Sequence, residues 1–373
     1  MMIEEPARTQ RPSAANPRFA GLDALRGIAV LMVLFYHGLF WSVPQNLRTG
    51  WAKYTAIIVR PGWLGVQLFF VLSGFLITGI LLSTRGREDY YRRFYFRRVV
   101  RILPAFALLI VLLAATTSVR PSSLICSSLF LANVSQLIGV PNPYGPLWSL
   151  AVEEHFYLCW PAATRILGRD RAILWTSIAV FTAQPLIRYL SFRFGATDGL
   201  YSYTWFNLDG LALGAACAVL VRGYSRKRIR VLCYAAMAAG ILAAVVGIPF
   251  GIATRTRALG AAFQVTPAYL VFAGLVVLCA GAEIRTTGVA FRIFRFFGNI
   301  SYGLYLYHLL FFSIFDRLVT RPTVVSTDLF VFGRFVCVAS VAIIFSYVSR
   351  NTLEEYFLQL KDRVPKGPIA AEA

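Results

Sequence analysis

Gly62-Trp-Leu-Gly-Val-Gln-Leu-Phe-Phe-Val-Leu-Ser-Gly-Phe-Leu-Ile-Thr-Gly-Ile-Leu-Leu-Ser83 runs for 22 residues without one Asp, Glu, Lys or Arg. A helix needs about 20 apolar residues to cross about 30 Å of hydrocarbon, and stretches of this kind recur from Leu22 to Tyr347. Of the 373 residues 58% are hydrophobic and only 14% charged, against about 25% charged in a soluble domain. Mean hydropathy is +0.64. Lipid offers the backbone no hydrogen-bond partner, so the crossing segments must be helices or a closed barrel. No strand-like alternation of apolar and polar residues is present, which leaves helices. The expected fold is all-α: a polytopic integral membrane helical bundle.

Eleven apolar stretches stand out, near residues 22–43, 62–83, 102–119, 122–140, 147–167, 172–190, 205–221, 231–250, 261–282, 297–318 and 328–349. The stretch 84–101 carries seven arginines and 222–230 five basic residues. Both should be cytoplasmic, which requires an even number of crossings between them. Five candidates lie there, and 122–140, interrupted by Asn133, Ser135 and Gln136, reads as a re-entrant or interfacial segment. The expectation is about 10 transmembrane helices with both termini cytoplasmic; inner loops then hold 25 basic residues against 10 outside. No repeat and no low-complexity run is present. The organisation expected is a polar cytoplasmic tail over 1–20, one membrane domain over 21–350 and a short cytoplasmic tail over 351–373.

A net charge of +20 raises the question of nucleic acid, which the distribution excludes: the basic residues sit in short loops, leaving no soluble basic face to track phosphodiesters. The six cysteines (Cys126, Cys159, Cys217, Cys233, Cys279, Cys337) lie inside apolar stretches without metal-type spacing, and no metal site is expected. Arg26 and His37 within the first helix, after a polar leader, argue against a cleaved signal peptide.

Ionisable groups inside a membrane are costly and mark function. Arg26 and His37 are eleven residues apart, close to three turns, so they share one helix face about 16 Å apart. Arg26 alone fits a snorkelling anchor; a histidine deep in hydrocarbon demands a partner. The span opening Leu147-Trp-Ser-Leu-Ala-Val-Glu153-Glu154-His155-Phe-Tyr157 places two carboxylates about 100° apart, either able to share a face with Tyr157. By counting from helix ends they fall at the level of His37. His155 reads as structural. Ser301, Tyr305 and His308 recur at i, i+4 and i+7, one polar stripe, with His308 at that same level. Three helices would thus converge on a buried polar site; a packing network is the plainer alternative.

Asp209 and Asn207 open a further span, where Asp209 fits either a site edge or a helix cap, and Gly210 and Gly214 form a small-residue packing face. Arg334 in the last span is suited to neutralising a carboxylate. The run Asp89-Tyr-Tyr-Arg-Arg-Phe-Tyr-Phe-Arg97-Arg98-Val-Val-Arg101-Ile-Leu-Pro104 should form an interfacial amphipathic helix. Its Arg98 and Arg101 share a face suited to forked contacts with phosphates, where simple charge anchoring is the alternative. A cytoplasmic arginine cluster opening toward a His/Glu site fits a phosphorylated cytosolic donor and a general base acting on a hydroxyl.

Five stretches, in order, resemble the acyltransferase-3 family of bacterial multi-pass membrane O-acyltransferases: Gly21-Leu-Asp-Ala-Leu-Arg26 through His37; Gly65 through Ser73 to Ile77; Tyr95-Phe-Arg97-Arg98-Val-Val-Arg101-Ile-Leu-Pro104; Trp148 through Glu153-Glu154-His155 to Tyr157; and Asn299 through His308. The resemblance covers roughly residues 18–350. It implies about ten helices, acyl-CoA (often acetyl-CoA) as donor and no permanently bound cofactor. It associates Arg26 and His37 with catalysis, Arg98 and Arg101 with the donor side, and aligns the family's Glu-containing stretch with Glu153 and Glu154. Gln67 departs from the family, whose members often carry Asp there, so no acid role falls to it. No counterpart is read of the extracytoplasmic hydrolase-like domain that some members carry.

The expected function is therefore membrane O-acyl transfer, as O-acetylation, from cytosolic acyl-CoA to a hydroxyl of a carbohydrate-type acceptor in the bacterial inner membrane: a polysaccharide, lipopolysaccharide or glycolipid precursor. Glycosyltransferase partners fit such a role. His37 with Glu153 or Glu154 is expected to act as catalyst, Arg26, Arg98 and Arg101 to bind acyl-CoA, and Ser73, Tyr157, Ser301, Tyr305, His308 and Asp209 to line or support the cavity. Direct transfer and an acyl-histidine intermediate both remain open. The competing readings are a proton-coupled transporter or flippase of a lipid-linked sugar, a macrolide or other secondary metabolite as acceptor, and a sensory or scaffolding protein.

Overall fold

The computed structural model describes residues 17–281, 288–320 and 325–360. Among these the secondary structure is helical, without a strand: α1 (Pro17–Tyr36), α2 (Gly50–Val59), α3 (Leu64–Thr84), α4 (Tyr90–Thr116), α5 (Pro121–Ser128), α6 (Leu147–Leu167), α7 (Asp170–Arg193), α8 (Asp209–Gly223), α9 (Arg226–Gly247), α10 (Ala258–Phe263), α11 (Thr266–Gly281), α12 (Val289–Leu318), α13 (Thr327–Ser349) and α14 (Glu355–Leu360). Six helical segments are long and apolar enough to cross a membrane: Ala20–Trp41, Gly50–Thr84, Tyr90–Thr116, Arg226–Gly247, Ala258–Gly281 and Thr327–Leu360. Outward faces carry Leu232, Ile241, Leu242 and Val245 on α9 and Val336 and Ile344 on α13. A band of this kind fits lipid, not water. The protein is a multi-pass helical membrane protein.

Without a hydrophobic drive between helices in lipid, close approach rests on small residues. α1 runs along α12 because glycine faces glycine: a Cβ on Gly27 would stand 1.8 Å from the carbonyl oxygen of Phe294, and one on Gly298 would stand 1.9 Å from that of Asp23. The small face of α8 does the same against α3, where a Cβ on Gly214 would lie 2.2 Å from the oxygen of Val71, and one on Gly74 would lie 2.0 Å from that of Leu211. These two pairings position the site.

Several boundaries differ from the sequence reading. The arginine-rich run 90–101 is no separate interfacial helix; it continues through Pro104 into one 27-residue helix, α4. Pro104 ends no helix here: the run before it is held to the bundle by buried Tyr90 and Phe94 and continues through the proline. The segment 122–140, expected to stop short of a full crossing, holds only eight-residue α5 and the four-residue 3₁₀ turn Ser135–Ile138, neither long enough to cross hydrocarbon. The chain continues past Ser349 through a π-helical turn into α14, where a tail from 351 was expected. Residues 1–16 and 361–373 of the expected tails lie outside the described residues.

Candidate active site

α1 and α12 bring His37 and His308 together, with Nε2 of His308 2.9 Å from Nδ1 of His37. Nδ1 of His308 lies 2.8 Å from the carbonyl oxygen of Leu304, which can only accept, so that nitrogen carries the proton. In a neutral ring Nε2 is then the acceptor, and Nδ1 of His37 donates to it. Nε2 of His37 keeps its lone pair and has no hydrogen-bond partner among the described residues. This is the protonation pattern a general base needs.

α1 is locally distorted at the pair, and α12 is braced there. His37 opens a π-helical turn, His37–Trp41, a feature that recurs at functional sites. Arg334 pins that turn by donating to the carbonyl of Gly38 (3.0 Å) and to Ser42 Oγ (2.8 Å), while Asp316 accepts from it twice at 2.6 Å. On α12 the buried hydroxyl of Tyr144 accepts from the amide of Leu310 (3.0 Å) and donates to the carbonyl of Leu306 (2.8 Å), bridging one i to i−4 pair beside His308.

Inward of the pair lies a cavity of about 100 Å³ lined by Arg26, Arg98, Arg101, Ser73, Ser149, Glu153, Glu154, Tyr157, Ser301 and Tyr305, among others. Glu153 accepts from Ser73 Oγ (3.1 Å) and from the Tyr157 hydroxyl (2.9 Å). Oε1 of Glu154 is buried without a hydrogen-bond partner. The Arg98 guanidinium stands 5.6 Å over the Tyr157 ring. Tyr305 closes the far end: its hydroxyl is 2.5 Å from Ser149 Oγ, and its ring centre is 6.1 Å from that of His308. Arg98 and Arg101 also line a second cavity of about 210 Å³ with Arg93, Arg97, Ile80, Thr84 and Leu358. The arginine pair thus stands between the two spaces, and α14 supplies part of the outer one.

Two expectations about the site are corrected. Glu153 and Glu154 do not partner His37; its hydrogen bond goes to His308. Glu153 is one turn inward of Ser149, which touches Tyr305, itself three residues before His308, so the carboxylates lie about 10 Å inward of the histidines. Counting from helix ends placed them too far out because α6 begins inside the bundle: the carbonyl of Pro146 accepts from the Tyr305 hydroxyl at 3.4 Å. Asp209 lines neither of these cavities. It is buried against Arg188, which donates to it at 2.9 Å and also to the carbonyls of Phe206 and Ala262. Arg188, near the end of the stretch 172–190, gave no signal of its own, although a buried aspartate needs such a partner. His155 meets Thr204 Oγ1 at 2.6 Å, and Gln67 accepts from the Tyr269 hydroxyl. Ser149, Tyr144, Ser42 and Asp316 were missed, since a serine, a loop tyrosine and an aspartate near a helix end give no signal until neighbouring helices are placed. Among the described residues no cluster of three His, Cys, Asp or Glu side chains could hold a metal ion.

A family model described as an acyltransferase domain matches residues 19–349. Among characterised proteins, the chain is similar to the peptidoglycan O-acetyltransferase OatA of Listeria monocytogenes, 36% identical over 160 residues that make up 38% of this chain and 23% of that protein. A putative peptidoglycan O-acetyltransferase of Bacillus subtilis, YrhL, is 38% identical over 160 residues, with the same coverage of 38% and 23%. The O-acetyltransferase OatA of Staphylococcus aureus is 31% identical over 241 residues, 57% of this chain and 36% of that protein. The chain therefore spans about a quarter to a third of the length of these relatives. No solved structure matches.

Proposed function

Because this chain belongs to the acyltransferase-3 family, we propose that it is a membrane O-acetyltransferase that takes the acetyl group from cytosolic acetyl-CoA and places it on a hydroxyl of a glycan. Its relatives are named as O-acetyltransferases, two of them of peptidoglycan, so a cell-surface glycan or its lipid-linked precursor in the bacterial inner membrane is the acceptor class that fits. What supports the reading is one cavity running from Arg98 and Arg101 to Tyr305, with the His37–His308 pair behind it.

In this mechanism Arg98, Arg101 and Arg26 hold the phosphates of the donor at the inner mouth, where planar forked guanidinium groups suit phosphate oxygens. The thioester arm lies along Ser73, Tyr157 and Ser301 toward Tyr305. Nε2 of His37 takes the proton of the acceptor hydroxyl as its oxygen attacks the thioester carbonyl. The C–S bond breaks, the ester forms, and the imidazolium returns its proton to the leaving thiolate, so that CoA departs as the thiol. His308 holds the His37 ring and accepts from its Nδ1–H throughout. The hydroxyls of Tyr305 and Ser149 are the donors available for the carbonyl oxygen as it gains charge. Glu153 and Glu154 balance the arginines and fix Tyr157 and Ser73 in place of assisting the base.

The experiment is a reconstitution of the purified protein with acetyl-labelled acetyl-CoA on the side of Arg98. The expected result is label in the glycan and one CoA thiol released per ester formed. A glycan that crosses the vesicle membrane without consuming donor would establish the carrier reading in its place.

A further inference from the structure

At the opposite end of α1 from Arg26, three arginines gather around four aromatic rings. Tyr36 is ten residues along that helix, about 15 Å away, and its ring is 5.1 Å from that of His37 and 5.5 Å from that of Phe40. The guanidinium groups of Arg48 and Arg60 stand 4.5 Å and 6.0 Å from the centre of the Phe40 ring. Arg255, in the loop between α9 and α10, stands 4.1 Å over Tyr201 and 5.2 Å over Trp63. Gly62, the residue before Trp63, packs on Tyr36, where a Cβ on it would stand 2.9 Å from the Tyr36 Cβ. None of them has a carboxylate at ion-pair distance among the described residues. Trp63 precedes the first residue of α3, whereas Ile80 and Thr84 at its other end line the second cavity, so the cluster lies at the opposite end of that helix.

Arg255 is built as a fork. Two rings hold its plane, its Nε donates to Gln264 Oε1 at 2.5 Å, and Gln264 is fixed in turn by donating to the carbonyl of Ala253 at 2.9 Å. Both terminal nitrogens are left without a protein partner, and Arg255 borders a small recess with the polar side chains of Gln67, Asn207 and Gln264 and with Arg188, whose charge is already paired with Asp209. Burial pushes the phenol of Tyr201 up to about 12, so it stays neutral and offers no competing anion. A planar guanidinium held in this way loses little freedom on meeting a two-oxygen anion. A group that served only to anchor the loop would not need both terminal nitrogens free.

We propose that the acceptor enters at this end of the bundle and that Arg255 reads an acidic group, a carboxylate or phosphate, carried by the glycan whose hydroxyl is presented past Tyr36 to His37. The proposal rests on the acyl-transfer reading for the identity of the acceptor, but its test needs no donor. Binding of cellobiouronic acid and of neutral cellobiose to the detergent-solubilised full chain is followed by tryptophan fluorescence, since Trp63 packs on Arg255. The acidic disaccharide is expected to bind about tenfold or more tightly than the neutral one, the scale of hydrogen bonds to charged groups. Arg255→Gln abolishes that difference and Arg255→Lys recovers only part of it, while size-exclusion profiles show both variants folded. Equal response to the two sugars, or a preference that survives Arg255→Gln, would overturn the proposal. So would phosphatidylglycerol displacing the acidic sugar, since the anion read there would then be a lipid headgroup. Each of these outcomes is independent of whether label moves from acetyl-CoA.

Discussion

Nε2 of His308 accepts from Nδ1 of His37 at 2.9 Å, and in the mechanism proposed above the base is therefore held by a histidine instead of a carboxylate. The arrangement repeats the logic of a base oriented by a third group, with the carbonyl of Leu304 as the final anchor. It works because that carbonyl fixes which nitrogen of His308 is protonated, and so which nitrogen of His37 faces the acceptor free.

In the proposed mechanism His308 positions the base, and its loss should separate turnover from donor binding. His308→Ala is expected to lower kcat about 10²-fold, as a misplaced catalytic group does, with little change in KM for acetyl-CoA. His308→Gln, whose amide oxygen still accepts, should recover part of the rate. Steady-state kinetics in proteoliposomes check both, and a rise in KM with kcat intact would reassign the residue to donor binding.

Arg98 and Arg101 should matter for the phosphates of the donor and not for its acyl end. Arg98→Gln or Arg101→Gln is expected to raise KM for acetyl-CoA roughly 10- to 100-fold, the scale of charge-assisted hydrogen bonds. Acetyl-pantetheine, which lacks those phosphates, should be used equally well by variant and wild type. Comparing the two donors in one assay checks the assignment.

Much of this was legible in the chain. The uncharged run 62–83 and its counterparts specify a helical membrane bundle on composition alone. Arg26, Glu153, Ser301 and Tyr305 could be placed on shared faces because helical periodicity is local. The pairing of His37 with His308 was not legible: 271 residues separate them, and only the glycine contact of Gly27 and Gly298 brings their helices within reach. The depth of Glu153 was misread for a related reason, since nothing in the sequence shows that the loop before α6 enters the bundle with Tyr144. Asp209 could be read as a site residue only while its partner Arg188 was unplaced.

The contact between α1 and α12 has a cost that can be measured. Gly298→Ala would place a methyl 1.9 Å from the carbonyl oxygen of Asp23, forcing the helices apart. The expected destabilisation is about 1–3 kcal/mol, with turnover lost as the histidine pair opens. Thermal unfolding in detergent, followed alongside acyl transfer, should show the two falling together.

Asp209 should prove structural. Asp209→Ala strands a buried guanidinium and is expected to destabilise the protein by about 3–5 kcal/mol. The double variant Asp209→Leu with Arg188→Met should regain most of that loss, because it removes both charges. Unfolding midpoints of the single and double variants decide this.

The central claim is that the free nitrogen of His37 accepts the acceptor's proton. Its most direct measurement is acetyl transfer from labelled acetyl-CoA by purified His37→Ala, with fold verified by size exclusion and donor binding measured separately. Turnover is expected to fall by about 10²–10⁴-fold while acetyl-CoA still binds. Near-normal turnover in a folded His37→Ala protein would contradict the mechanism.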